Sequence, residues 1–306
     1  MMHPHSHDHD HHGHAPGPGR AFAIGIALNA IFVLVEWICG VLANSLALIA
    51  DATHNFSDVL GLVLAWGALA LARRPPSARF TYGLRGTTIL AALGNAMLLL
   101  VATGGIAWEA ILRFRNVTAV NETVMIWVAV LGVLVNAGTA LLFMRGSKTD
   151  LNVRGAYLHM AADAGVSLGV VVAGVGMILT DWRWLDPATS LLIVTVIFLG
   201  TWGLLRDSVK LALQAAPESV NPVDVRRYLS ELPGVSEVHD LHIWALSTTE
   251  TALTVHLVMP AGHPGDEFFS TIVRHVEERF RIGHATIQIE TGTAANPCIL
   301  APEHVV

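Results

Sequence analysis

Apolar runs dominate the first two thirds of the chain, at about 20–43, 46–72, 87–112, 124–144, 155–180 and 187–206. Each is close to the ~20 residues that a bilayer core demands of a helix. Short connections between them predict antiparallel neighbours. Beyond Arg206 the pattern changes. A helical stretch at about 222–231 is followed by alternating runs near 236–247 and 251–259, a second helix at about 265–280 and a last strand at about 284–291. That order, αββαβ, predicts a small α+β fold with its helices on one face of a three-stranded sheet. The expected class is an α-helical membrane protein, a six-helix transmembrane bundle followed by a small cytoplasmic domain. The expected boundaries are a tail over 1–19, the membrane domain over 20–208 and the cytoplasmic domain over 209–306.

Composition agrees with the pattern. Of 306 residues 53% are hydrophobic and 14% charged, where a soluble domain carries about 25% charged residues. The net charge of −6 offers nothing to a nucleic-acid partner. Cys39 and Cys298 are the only cysteines, too few for a disulfide framework. Basic residues orient the spans. One side collects Arg20, Arg73, Arg74, Arg79, Arg85, Arg145, Lys148, Arg154, Arg206 and Lys210, the other Arg113, Arg115 and Arg183. Both termini are therefore expected in the cytoplasm of a bacterial inner membrane. The tail carries His3, His5, His7, His9, His11, His12 and His14 among Asp, Ser, Pro and Gly, which reads as native metal-gathering sequence rather than a purification tag. Gly165, Gly169, Gly174 and Gly176 in span five fit close helix packing.

Chemistry concentrates in spans two and five. His54 and Asp58 lie four apart, on one helix face, and His159 and Asp163 repeat the spacing about a hundred residues later. Ionisable residues in a membrane helix are costly, about 2.5–3.5 kcal/mol each on insertion scales, and mark function. If the two helices face each other, two imidazoles and two carboxylates form a tetrahedral set suited to Zn²⁺. The same donors accept Fe, Co or Mn, disfavour Mg or Ca, and differ from the soft set that Cu(I) prefers. Asp51, three before His54, either holds a ligand histidine or caps a polar cavity. Asn29 and Glu36 in span one either pack or line that cavity. A membrane metalloenzyme is the competing class, but catalytic zinc keeps an open position, and no glutamate stands beside a ligand histidine. A non-transporting metal sensor is the other.

These residues resemble the cation diffusion facilitator family of zinc transporters. The likeness runs through Asn44-Ser45-Leu46-Ala47-Leu48 into Ala50-Asp51 and His54…Asp58, then Asn152-Val153-Arg154-Gly155-Ala156-Tyr157-Leu158-His159…Asp163 and Asp186-Pro187. It continues in Val238-His239-Asp240-Leu241-His242-Ile243-Trp244 and Thr286-Ile287-Gln288-Ile289-Glu290. It implies a homodimer in lipid that exports Zn²⁺ in exchange for H⁺, with His54, Asp58, His159 and Asp163 as the transport site. An Asp in place of the first His is associated there with a range widened towards cadmium. It also implies regulatory zinc on the cytoplasmic domain, with His239, His256 and Glu290 in one site and His242, His284 and Cys298 in another. Strand alternation alone sends His239 and His242, three apart, to opposite faces. His263 and His275 read as ordinary surface residues. Residues 79–85 lack the His and Asp of a further zinc site found in some relatives, and that cationic loop is expected to meet lipid head groups or the neighbouring subunit.

Overall fold

A computed structural model describes residues 18–144, 151–292 and 298–301; the His-rich tail lies outside them. The expected class is borne out. Six long helices come first: α1 (Pro18–Ala43), α2 (Leu46–Ala72), α3 (Thr87–Arg115), α4 (Glu122–Met144), α5 (Leu151–Thr180) and α6 (Leu185–Ala212). Five of them, α2 to α6, meet the length and hydropathy of a membrane span among the described residues, and α1 carries the apolar stretch Asn29–Ala43. Then follow α7 (Pro222–Ser230), β1 (Glu237–Ala245), β2 (Thr251–Val258), α8 (Asp266–Phe280) and β3 (His284–Glu290).

Packing in the long helices inverts the soluble pattern. Ala47, Ala50, Ala52, Ala96, Ala110 and Ala129 are fully buried, while Trp66, Val101, Trp108, Trp127 and Leu179 are exposed. Small residues let backbones approach, and large apolar ones are left for lipid. A Cβ on Gly132 of α4 would stand 2.8 Å from Phe32 of α1 and 2.9 Å from Ser167 of α5, and one on Gly174 would stand 2.6 Å from Ile126. Gly176 meets Leu185, whereas Gly165 and Gly169 face open space, so only part of the span-five glycine stripe is a packing feature.

Two compact units emerge among the described residues, one within Met1–Val59 and Val101–Ile197, the other within Leu60–Leu100 and Phe198–Val306. In the first, α5 packs along α4, and α4 along α1. The turn into α2 is fastened there. Asn44 ends α1 in the left-handed region (φ 55°), and its carbonyl and side chain accept from Arg113 at 2.6 and 2.9 Å. Ser45 caps α2 by accepting from Leu48 N–H. The buried Asp186 carboxylate accepts from Ser45 Oγ at 2.6 Å and from the backbone N–H of Leu46 and Ala47 at 2.9 and 3.2 Å. Three donors on one carboxylate at a helix N-terminus form a charge-assisted cap. Asp186→Ala should therefore lower stability by about 2–3 kcal/mol, read as a lower unfolding midpoint in detergent; an unchanged midpoint would reject the cap as a stabilising element.

The second unit holds the α+β fold. Its sheet runs β1-β2-β3, with β1–β2 antiparallel and β2–β3 parallel across the α8 crossover. Val225, Leu229, Ile272, Val276 and Phe280 of the helices bury one sheet face with Val238, Ile243, Leu253, Val255 and Leu257. Asn221 caps α7 by accepting from Val223 N–H, ahead of Pro222 at the first helical position. In the α2–α3 connection, Arg85 pairs with Glu250 of the β1–β2 turn at 3.0 Å. Nearby, Thr248 N–H donates to Thr88 Oγ1 at 3.1 Å. Arg85 of the cationic loop thus has a partner within its own chain.

Candidate metal centre

α2 and α5 bring the two spaced pairs face to face. His159 Nε2 lies 3.1 Å from Asp58 Oδ2 and 3.6 Å from Asp163 Oδ2. His54 Nε2 lies 3.6 Å from Asp163 Oδ1 and 3.8 Å from Asp58 Oδ2. The four side chains thus form a closed ring in which imidazole and carboxylate alternate. A tetrahedron of zinc ligands at about 2.0–2.1 Å has edges of roughly 3.3–3.4 Å, and the imidazole–carboxylate separations, 3.1–3.8 Å, bracket that value. Asp58, His159 and Asp163 each place one donor atom within 4.8 Å of the others; His54 stands outside that group, held to it by its approaches to Asp58 and Asp163. The two rings meet edge-on at 6.0 Å. Asp163 is buried at 3% side-chain exposure, while His159 at 42% and Asp58 at 36% form an open rim. The ring therefore has a closed wall and one accessible side, as a site that loads and unloads an ion requires.

Asp51 does not hold a ligand histidine. It accepts from Ser167 Oγ of α5 at 2.9 Å and lies against the carboxyl of Glu36 of α1. Asn55 Nδ2 reaches Glu36 Oε2 at 3.4 Å, and Asn29 Nδ2 contacts Met160 Sδ at 3.2 Å. Glu36 is therefore tied to the far side of the ligand helix, and Asn29 is a packing contact.

On the α+β fold, the histidines lie on the sheet face opposite the helices. His239 pairs with His256 across β1–β2, and His242 with Thr254. Three residues on β1 thus match two on β2, so a bulge inserts one residue. Asp240 sits in it at φ 49°. The bulge corrects the alternation expectation: His239 and His242 return to the same face.

The grouping changes as well. His239 Nε2 lies 3.3 Å from Glu290 Oε2, and His256 Nδ1 lies 2.9 Å from Glu290 Oε1. Cys298 Sγ is 3.6 Å from the same His256 nitrogen. Cys298 accordingly joins His239, His256 and Glu290 rather than His242 and His284. His242 is held by Asp240 at 2.9 Å, and Asp240 also reaches His256 Nε2 at 3.4 Å. His284 instead stacks edge-on against Tyr82 at 5.5 Å. Asp240 was missed in the sequence because its neighbours read as a regular strand, where it would point away from His256. His275 also departs from a free surface position: it stacks on Tyr228 at 4.4 Å.

The cluster's electrostatics suit a cation. Burial pushes the Glu290 carboxyl up, but hydrogen bonds from Cys298 and Gln288 and the fields of His239 and His256 bring it below its usual range. The Glu290 carboxylate beside Cys298, helped by burial, pushes that thiol up. Neither ring nitrogen of the buried His239 makes an aligned hydrogen bond, although carboxylates stand 3.3 and 3.6 Å away, a deficit that a bound metal would relieve.

The comparisons with known proteins agree with this layout. Residues 22–211 match the family described as the cation efflux transmembrane domain, and residues 217–292 match the cation efflux protein cytoplasmic domain. The cation efflux system protein CzcD of Alcaligenes sp. (strain CT14) is 38% identical, over 87% of this chain and 85% of its own. Zinc transporter ZitB of Escherichia coli (strain K12) is 38% identical, over 88% and 86%. The cadmium, cobalt and zinc/H(+)-K(+) antiporter of Bacillus subtilis (strain 168) is 34% identical, over 85% of each chain. With its long apolar helices and both domains matched in order, the chain belongs to the cation efflux family, as an integral membrane transporter and not an enzyme.

Proposed function

We propose that this transporter exports cytoplasmic Zn²⁺ in exchange for H⁺, working by alternating access as a homodimer in the bacterial plasma membrane with both termini inside. The observation that carries the proposal is the convergence of His54, Asp58, His159 and Asp163, whose imidazole–carboxylate separations suit zinc ligands. Two carboxylates offset the ion's charge in a low-dielectric setting. Zinc binds neutral imidazole and ionised carboxylate, so loading displaces protons and protonation releases the metal. Coupling then requires that zinc and protons favour different states of the carrier.

The names of relatives support the cargo and the exchange: zinc transporter in one, zinc/H(+)-K(+) antiporter in another. The family matched by residues 217–292 is named for dimerisation (ZT_dimer) and described as cytoplasmic, which supports the homodimer and the orientation. The domain division at about residue 208 is proposed on the same footing. His239, His256, Glu290 and Cys298 would hold regulatory zinc, a full donor set of two nitrogens, one oxygen and one sulfur. His242 would stand beside them through Asp240.

The test uses the full chain in liposomes with a zinc dye and a pH dye inside. An acidic lumen should accelerate zinc entry several-fold, and zinc entry should in turn consume the gradient. Zinc flux indifferent to the gradient would overturn the exchange.

A further inference from the structure

Behind the metal ring lies a second ionisable group that zinc ligation does not use. Glu36 of α1 and Asp51 of α2 are both fully buried, at 0% exposure. Their carboxyls lie against each other. Two ionised carboxylates buried together repel, and both only accept, so a proton held on one of them relieves the contact. The remaining donors are already placed elsewhere. Ser167 Oγ donates to Asp51 Oδ2, and Asn55 Nδ2 to Glu36 Oε2. Glu36 Oε1 and Asp51 Oδ1 are left without any donor. These two oxygens, one from each side chain, are where a single shared proton is missing from the hydrogen-bond account.

We infer that Glu36 and Asp51 form a proton-binding carboxyl pair that carries one of the exchanged protons, separately from the four metal ligands. The inference deepens the exchange reading above and rests on it. The charged and titratable groups facing the pair are His54 from α2 and Asp163 from α5. α4 carries only Glu122, in its first turn. Asp51 stands about one turn, roughly 4.5 Å of axial rise, from His54. A doubly charged ion on the ring therefore acts on the pair through a short, poorly screened path. The step balances simply. Without zinc the pair holds one proton and one negative charge. When Zn²⁺ binds, the shared O–H bond breaks, both carboxyls ionise and the proton leaves to the aqueous side open to the ring. When zinc departs, the pair recovers a proton from the side then open. The bond networks through Ser167 and Asn55 tie the same event to α5 and to the ligand turn of α2.

Glu36→Gln keeps a donor towards Asp51 and the packing, but takes up no proton. Calorimetry of Zn²⁺ binding to the full chain, run in buffers of different protonation enthalpy, counts the protons released. The variant is expected to release about one proton fewer per zinc bound at the transport site than the wild type. Infrared difference spectra supply a readout that mere packing would not move. The metal-free wild type should show a protonated-carboxyl band that zinc bleaches, and the variant should lack that component. Asp51→Asn makes the same prediction from the other partner and serves if Glu36→Gln does not fold. An unchanged proton count, or an unchanged infrared band, in a variant that binds zinc would overturn the pair. Wild-type chain whose zinc flux ignores a proton gradient would instead overturn the exchange itself, so the two failures are separable.

Discussion

Asp163→Asn is expected to abolish zinc transport. Asp163 is the most buried ligand, at 3% side-chain exposure, and its two oxygens stand 3.6 Å from both ring histidines. The substitution keeps the volume but removes one of the two charges that offset Zn²⁺, and it swaps a strong donor for an amide oxygen. A dication left with a single carboxylate in a low-dielectric helix interface carries an uncompensated charge. Loss of a group that merely supports a ligand weakens metal sites by about 10–100-fold, so loss of the ligand itself should reduce flux by about 100-fold or more. Zinc uptake in liposomes at matched protein density measures it, with correct folding checked by the unfolding midpoint. Flux near the wild-type level would remove Asp163 from the site.

His54→Asp should leave transport in place while loosening its selectivity. The ring would then hold three carboxylates and one imidazole. The shorter aspartate also sets its oxygen further back, widening a position that already stands 3.6–3.8 Å from its neighbours. Selectivity among divalent ions is decided by ligand type and geometry more than by raw affinity. Competition between zinc and cadmium in the same flux assay should shift towards cadmium by about 10-fold. An unshifted ratio would show that His54 does not set the preference. The Bacillus subtilis relative, whose name joins cadmium and cobalt to zinc, makes the wild-type ratio itself worth measuring first.

The two predictions bear on opposite properties of one site. Asp163 closes its inner wall, and His54 stands where a change of donor alters the size of the opening. Both leave the Glu36 and Asp51 side chains in place, so the three variants address metal ligation, metal choice and proton count in turn.

Much of this was already legible along the chain. Runs of about twenty apolar residues have one stable solution in lipid, a helix, because every backbone group must be satisfied internally. The repeated His-x-x-x-Asp spacing then presents both ligands of each helix on one face, whatever the helix packs against. The αββαβ order was equally readable, because two of its helices are amphipathic and its strands alternate. What required the tertiary structure was everything set by pairing between distant segments. Asp51 could face His54 or turn from it, and only the approach of α1 and α5 sends it to Glu36 and Ser167. Strand alternation placed His239 and His242 on opposite faces, yet one inserted residue at Asp240 reverses that, because a single step of register moves a side chain across the sheet. Cys298 follows β3 by several residues, and no periodicity says which histidine it meets; the fold brings it to His256. Local spacing determined the ligands within each helix, and the packing of helices and strands decided their neighbours.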